Sequence, residues 1–103
     1  MTKPYEELVG LDKLIHEPAR LAIMTALSAC DNADFTFLQQ LTGLTKGNLS
    51  SHLAKLELGG LVTIEKRFVK KMPNTLISLT DKGSLAIEHH WQLLEKLRNG
   101  TKL

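Results

Sequence analysis

Residues 45–60 read TKGNLSSHLAKLELGG, and this stretch predicts a single amphipathic helix. Three leucines recur at the period of a helix and form one apolar stripe. They are Leu49, Leu53 and Leu56. Thr45 is a candidate N-cap, because its hydroxyl can accept a hydrogen bond from a free amide of the first turn. Gly59-Gly60 predicts the end of the helix, since glycine readily adopts the left-handed conformation found there.

The face opposite the leucines is small, polar and mildly basic. At about 100° per residue, it carries Gly47, Ser50, Ser51, Ala54 and Lys55, with Asn48 and His52 on its flanks. A helix that enters a DNA groove needs small residues for close approach, donors for phosphates and base edges, and few acids. An ordinary core helix with a plain polar face fits the same pattern, and this stretch alone favours neither interpretation.

Length and charge narrow the choice. The 103 residues indicate one domain, 1–103, with a modest core, and folds of this size often gain stability by dimerising. The net charge is only +2. However, residues 46–75 hold six basic and two acidic residues, whereas the rest of the chain holds seven basic and nine acidic residues. Positive charge gathered in one third of the chain is typical of a nucleic-acid-binding face.

The single cysteine, Cys30, excludes an internal disulfide and indicates a reducing setting, so we expect a cytoplasmic protein. Cys30 follows an apolar run and is predicted to be a buried structural thiol, with a redox-sensing thiol as the alternative. No apolar stretch approaches the length of a membrane span, and the N-terminus does not have the pattern of a signal peptide. We therefore expect no membrane partner.

Two helices are predicted in the first thirty residues. Pro4 is placed to begin a short N-terminal helix within residues 1–15, which either joins a dimer interface or packs on its own core. Pro18 is placed to begin the next helix, a largely apolar one that ends near Cys30 and should be the central core element. Arg20 is its one basic residue, and it could reach a phosphate or an acidic partner such as Asp12 or Glu17. We favour the structural role.

A helix-turn-helix arrangement is predicted next. Residues 31–34 read as a turn cluster, and Phe35 as a very short strand. Thr36 to Gln39 matches a capping box for a short helix, with an apolar side of Phe37, Leu38 and Leu41. A tight connection holding Gly43 then joins it to the Thr45 helix. Two helices joined by such a turn place the second as a recognition helix.

A β-hairpin follows the recognition helix. Residues 61–65 and 76–79 are β-branched and apolar, as half-buried strands are. Between them, residues 66–75 form a long basic tip. A basic loop beside a recognition helix can reach phosphates or the minor groove, whereas a charged tip on its own is usually just solvated.

The last predicted helix begins at a cap formed by residues 80–83. Its apolar residues exceed what one small domain easily covers, and dimerisation explains this surplus best. They are Leu85, Ile87, Trp91, Leu94 and Leu97, with Leu93 beside them.

Taken together, these elements resemble the winged helix-turn-helix transcriptional regulators of the MarR/ArsR-type group, especially small archaeal and bacterial members. The residues that carry the resemblance lie in the expected order at 16–23, 34–36, 47–56, 60–62 and 79–83. The implied fold is α+β and mostly α, with a core at 16–83, a two-stranded β wing, and helices in 1–15 and 81–98 that dimerise.

The resemblance also implies a homodimeric regulator of transcription that binds double-stranded DNA and acts as a repressor. The implied DNA contacts are Lys46, Asn48, Ser50, Ser51, His52 and Lys55 from helix 45–58, and Arg67, Lys70 and Lys71 from wing 66–75. The implied dimer contacts are Tyr5, Leu8, Leu85, Trp91, Leu94 and Leu97. Two residues depart from the family pattern: Asn74 stands near where an arginine is usual, and Ile77 replaces a frequent tyrosine.

Other functions receive less support. A winged helix that binds protein is the alternative, and exposed apolar residues on the recognition face would favour it. No nucleophile motif, phosphate loop or metal-ligand spacing indicates an enzyme. Neither a metal nor a cofactor is expected, since His89 and His90 point about 100° apart on a helix. An effector is not identified.

Overall fold

Residues 13–100 are described by the computed structural model, and within them four helices combine with three strands. The helices are α1 (Pro18–Cys30), α2 (Phe35–Thr42), α3 (Lys46–Leu58) and α4 (Asp81–Gly100); the strands are β1 (Asn32–Asp34), β2 (Val62–Val69) and β3 (Met72–Leu79). The predicted fold class is confirmed. Tyr5 and Leu8 of the predicted N-terminal helix lie outside the described residues, and residues 13–15 form a turn.

Each of these elements contributes to one hydrophobic core. The predicted stripe of α3 is fully buried there, and α1 supplies the largest remaining share. The buried apolar side chains are Ile15, Ile23, Met24, Leu27, Ala33, Leu38, Leu49, Leu53, Leu56, Leu61, Val62, Ile77 and Ile87. Helix α1 begins at Pro18, as predicted. The core therefore fixes α3 from one side only and leaves its other side to solvent.

The segment between α1 and α2 corrects the prediction. Only Asp31 turns, with a φ of 64°, and Asn32–Asp34 forms β1 by pairing with β3, so the strand does not lie at Phe35. Helix α2 begins at Phe35, and the Asp34 carboxylate caps it by accepting a hydrogen bond from the Phe37 amide at 2.8 Å. The capping box predicted at Thr36 is therefore wrong, because Thr36 already lies inside the helix.

The apolar side predicted for α2 is also only partly buried. Leu38 is buried and Phe35 is half-buried against the core, whereas Phe37 and Leu41 are exposed. Because α2 has only eight residues and begins at Phe35, its core contact is confined to one narrow side. Gly43 ends it with a φ of 70°, which confirms the predicted glycine-containing connection to α3.

Cys30 is exposed, which corrects the prediction of a buried thiol. The last three residues of α1, from Ser28 onward, are all exposed, whereas Leu27 is buried. The end of the helix therefore projects beyond the core, and burial stops at Leu27, three residues before Cys30.

The sheet is three-stranded and antiparallel, in the order β1-β3-β2. The hairpin ladder continues to the pair Val69 and Met72, so only Lys70 and Lys71 form the turn. Both have positive φ, 53° and 67°, which matches the two-residue turns that suit the twist of a hairpin. The predicted ten-residue tip at 66–75 is therefore mostly strand, because cross-strand pairing persists through the basic residues.

A compact joint connects the end of α3 to the start of α4. The Thr80 hydroxyl donates to the Gly60 carbonyl at 2.6 Å and accepts from the Gly83 amide at 2.9 Å, which confirms the predicted cap. A Cβ on Gly83 would lie 1.9 Å from the Leu61 carbonyl oxygen, so the two chain segments meet without room for a side chain. Of the two glycines after α3, Gly60 alone takes the left-handed conformation.

Candidate nucleic-acid interface

Helix α3 presents its predicted polar face to solvent. The three buried leucines turn that face outward, and Thr45 caps the helix by accepting a hydrogen bond from the Asn48 amide at 3.1 Å. Five predicted contact residues are exposed on this helix: Lys46, Asn48, Ser50, Ser51 and Lys55. The helix therefore offers hydroxyl, amide and ammonium donors on one accessible surface.

Leu58 also belongs to this surface, although it is not among the predicted contacts. Its side chain is 90% exposed, and at about 100° per residue it lies on the same side as Ser51 and Ala54. In a DNA groove, an apolar side chain can contact the methyl group of thymine. An exposed leucine is also the kind of feature that a protein partner would cover.

His52 differs from the other predicted contacts, because it is partly buried against α1. Its Nδ1 lies 3.0 Å from Nη1 of Arg20. A guanidinium group only donates, so Nδ1 of His52 is the acceptor in this hydrogen bond. Arg20 also donates to the carbonyl of Leu14, as expected for a structural role. His52 therefore fixes the side of α3 to the start of α1.

Glu17 completes this contact. Its carboxylate accepts a hydrogen bond from the Arg20 amide at 2.9 Å and caps α1. Partial burial raises the pKa of the Glu17 carboxyl, but hydrogen bonds from the amides of Arg20 and Ala19 and the positive charge of the Arg20 guanidinium lower the pKa by more, so it ends below its ordinary value. Glu17 is therefore ionised at neutral pH and holds Arg20 against α3.

A groove of about 530 Å³ separates α3 from the wing. Lys46 and Ser50 line its α3 side, and Lys66 lines its wing side; Glu57 is the one carboxylate among the described residues that line it. Further polar residues complete its walls: Thr36, Gln39, Asn74 and Thr75. Among these polar lining residues, Thr36, Gln39, Lys66, Asn74 and Thr75 were not predicted as contacts. The last three had one signal in the sequence, their place in the predicted wing 66–75.

The predicted wing residues lie at the far end of the hairpin. Lys70 and Lys71 form the exposed turn itself. Arg67 donates through Nε to Oδ1 of Asn74, its cross-strand neighbour, at 3.0 Å. The position where the family usually carries an arginine is therefore directly opposite an arginine on the neighbouring strand, so a guanidinium group is present at this level of the wing. Ile77, the second departure, is fully buried.

The wing end is also apolar, which the basic sequence conceals. Phe68 is 76% exposed and Met72 is 67% exposed, and Val69 and Pro73 are exposed beside them. Phe68 pairs with Pro73 and Val69 pairs with Met72, so the four side chains surround the end of the hairpin on both faces. We call these four residues the wing tip.

Helix α4 leaves the core halfway along its length. Gly83, Ile87 and His90 are buried, but none of residues 91–100 is. Trp91, Leu94 and Leu97 continue the buried stripe past the end of the core, and the indole of Trp91 donates to the hydroxyl of Thr25 at 3.3 Å. Leu85 is 73% exposed and lies about 200° from Ile87 around the helix, on the opposite side. The predicted dimer residues on α4 therefore form two separate apolar surfaces.

The two adjacent histidines of α4 differ in burial. His89 is exposed, whereas His90 is buried with its Nε2 3.5 Å from Nδ1 of His16. Within residues 13–100, no group of three metal-ligating side chains is close enough to hold an ion. No helix in the same part of the chain is long and apolar enough to cross a membrane.

Comparison with known proteins identifies the family. The model of a winged helix DNA-binding domain matches residues 19–98, and the chain belongs to this family. An uncharacterized protein of Methanocaldococcus jannaschii is 32% identical over 88 residues, which cover 84% of this chain and 96% of that protein.

Solved structures agree with this result. A transcriptional regulator homologue from Pyrococcus horikoshii OT3 is 30% identical and matches with a TM-score of 0.89, over 99% of this chain and 100% of that chain. A MarR family regulator from Silicibacter pomeroyi, 20% identical, shares the fold with a TM-score of 0.61, over 96% of this chain and 62% of that chain. Fold and family together define a DNA-binding transcriptional regulator, and the predicted resemblance is confirmed.

Proposed function

We propose that this chain is a homodimeric, sequence-specific repressor of transcription that inserts α3 into the major groove of double-stranded DNA. The observation that carries the proposal is the outer face of α3, which is exposed, small and rich in donors, and is held outward by three buried leucines. Lys46, Asn48, Ser50, Ser51 and Lys55 contact bases and phosphates, while His52 acts mainly by fixing α3 to Arg20.

The wing contacts the flanking backbone or the minor groove through Arg67, Lys70 and Lys71. In this arrangement one sugar–phosphate strand lies in the groove between α3 and the wing. Lys46 and Lys66 supply positive charge from its two walls, and Ser50 and Thr75 supply hydroxyl groups. Such contacts position a protein on DNA without reading the sequence, so the groove sets the register of α3.

Dimerisation is proposed to use the second half of α4. Its stripe of Trp91, Leu94 and Leu97 extends beyond the core, and a second copy would cover it. A two-fold dimer places two recognition helices on half-sites about 34 Å apart, or a multiple of that. In this proposal residues 1–103 form one domain, whose core extends past the predicted 16–83 to Ile15 and Ile87, and the flanking segments 1–15 and 81–98 contribute the dimer contacts. The site of action is the cytoplasm of an archaeal or bacterial cell.

A winged helix that binds protein is the second candidate, and one observation favours it. Leu58 is exposed on the recognition face, where DNA-binding helices mostly carry polar residues. The remainder of that face argues for DNA, because a single leucine beside Lys55 and two serines provides little apolar area for a protein partner.

The test is fluorescence anisotropy with random-sequence duplex DNA across a salt series. The variant carries Lys55→Ala, Lys70→Ala and Lys71→Ala, and a matched control replaces Lys96, an exposed lysine of α4, by alanine. Binding should weaken steeply with salt, and the slope should fall by about 0.9 for each lysine that contacts a phosphate. Absence of binding at low salt by the folded wild type would exclude this function, and an unchanged slope in the variant would exclude this face.

A further inference from the structure

The wing tip combines exposed apolar side chains with positive charge. Single exposed hydrophobic residues are normal on protein surfaces. Here, however, four of them are adjacent around one two-residue turn, and residues 66–75 contain four basic residues and no acidic one. Such a surface suits duplex DNA. The basic residues attract the phosphates on its outside, and the aromatic ring and the thioether can contact the stacked bases inside it.

The direction of the tip follows from the strand register. Lys66 and Phe68 are two residues apart on β2 and share one face of the hairpin, and Pro73 lies directly across from Phe68. Lys66 and Pro73 both line the groove between α3 and the wing. Phe68 therefore continues the wing wall of that groove outward. If a DNA strand occupies the groove, Phe68 lies at the edge of the adjacent minor groove. Met72 pairs with Val69 on the opposite face of the hairpin, beside the turn, so the two side chains flank the end of the hairpin.

The hairpin is too wide to enter an undistorted minor groove. The minor groove of B-DNA is about 6 Å wide, whereas two paired strands are already about 4.8 Å apart before side chains are added. The tip can enter only where the groove opens. Proteins open it by pushing apolar side chains such as Phe, Met or Pro between base steps, which unstacks the bases and bends the duplex toward the major groove.

We propose that Phe68 and Met72 act as an apolar wedge that unstacks a base step in the minor groove and bends the DNA. This inference rests on the proposed DNA-binding function and extends it. Lys70, Lys71 and Arg67 hold the flanking phosphates while the wedge is inserted. Flexible pyrimidine–purine steps such as TA are the preferred place, because they unstack most easily. The wing then contributes to sequence preference through the deformability of DNA, without hydrogen bonds to bases.

Two optical readings test the wedge on a duplex of about 30 bp that contains TA steps and spans roughly three helical turns. Energy transfer between dyes at its two ends reports bending, and 2-aminopurine at the TA steps reports unstacking. Both are read at saturating protein, so that fully bound complexes are compared. Wild type should raise energy transfer and 2-aminopurine fluorescence.

The Phe68→Ala, Met72→Ala double variant should lose most of both signals while keeping the wild-type salt slope, because no charge is removed. Phe37→Ala is the matched control, since Phe37 is an exposed phenylalanine of α2 outside the wing, and it should keep both signals. Lys70→Ala, Lys71→Ala should lower the salt slope by about 1.8 if each lysine contacts one phosphate, and keep both signals at saturation. Circular dichroism establishes that each variant is folded.

Three results would overturn the wedge. Wild type could bind the duplex without changing either signal, or the double variant could bend DNA as strongly as wild type. Alternatively, Phe68 could be needed for binding to vesicles of anionic phospholipid and be dispensable for bending, which would assign the tip to a membrane surface. Failure of the folded wild type to bind duplex DNA at all would refute the proposed function itself, and is thereby distinguished from failure of the wedge alone.

Discussion

Helix α3 and the wing are proposed to contact the same DNA, yet they are stabilised in opposite ways. In α3 the apolar residues face inward and are buried, and the polar residues face outward. In the outer half of the wing no residue is buried, and its shape depends on backbone pairing and a two-residue turn. The core therefore dictates the position of the recognition helix, whereas the wing is free to carry apolar residues at its end.

Among the substitutions that compare the core with the wing, Leu49→Ala should lower stability the most. Leu49 is fully buried, so its truncation should lower the free energy of unfolding by about 2–5 kcal/mol. Phe68→Ala, in the exposed wing, should change it by less than about 1 kcal/mol. Urea denaturation followed by circular dichroism at one fixed protein concentration measures both. A similar loss in the two variants would contradict the view that the wing is independent of the core.

Gly83→Ala should break the joint between α3 and α4. The added methyl group would collide with the backbone of Leu61, which cannot move like a flexible side chain, so we expect a loss of about 1–3 kcal/mol. Gly47→Ala is the control, because a Cβ there meets open space and alanine favours a helix. The same denaturation measurement applies, and equal stability of the Gly83 variant and wild type would show that the close approach to Leu61 is not required.

Lys70→Asn, Lys71→Gly should separate wing stability from wing function. Asn-Gly suits two positive φ angles far better than Lys-Lys, so thermal stability should rise by the equivalent of about 0.4–1 kcal/mol. DNA affinity should nevertheless fall, because two charges at the turn are removed. A variant that gains both stability and affinity would show that the lysines do not contact phosphates.

Glu17→Gln should change stability the least of these substitutions, and the size of the change should depend on pH. Because the pKa of Glu17 is lowered in the folded protein, its contribution to stability is present at neutral pH and is lost as the pH falls through that folded-state pKa. The free energy of unfolding of wild type should therefore exceed that of the variant by up to about 1 kcal/mol at neutral pH. In acid the two free energies should converge. A difference that persists in strong acid would mean that the charge of Glu17 is not the cause.

The sequence predicted those parts of the fold that depend on local patterns. The caps at Thr45 and Thr80 and the leucine stripe of α3 depend on neighbours within a few residues, and all of them are confirmed. The very short strand was predicted at Phe35 instead of Asn32–Asp34, because three residues carry no usable periodicity and the pairing of β1 depends on β3, far along the chain. Cys30 was misplaced because burial at a helix end depends on where the core stops.

The candidate site shows the same division. The small, polar side chains of α3 and the basic side chains of the hairpin could be predicted from the sequence. On α3 their exposure follows from the buried leucine stripe on the opposite face. The contact between His52 and Arg20 was not, because it joins two helices that only the tertiary fold brings together. The wing tip was concealed because basic residues surround its apolar ones, and only the strand register shows that Phe68, Val69, Met72 and Pro73 cluster at one end.

Amide NMR spectra of the full chain titrated with random-sequence duplex DNA at low salt test the central claim most directly. The account predicts that the amide signals that shift most belong to residues 46–55 of α3 and to Lys70 and Lys71 of the wing, while those of residues 91–100 in α4 stay in place. Shifts confined to α4, or no shifts at saturating DNA, would contradict it.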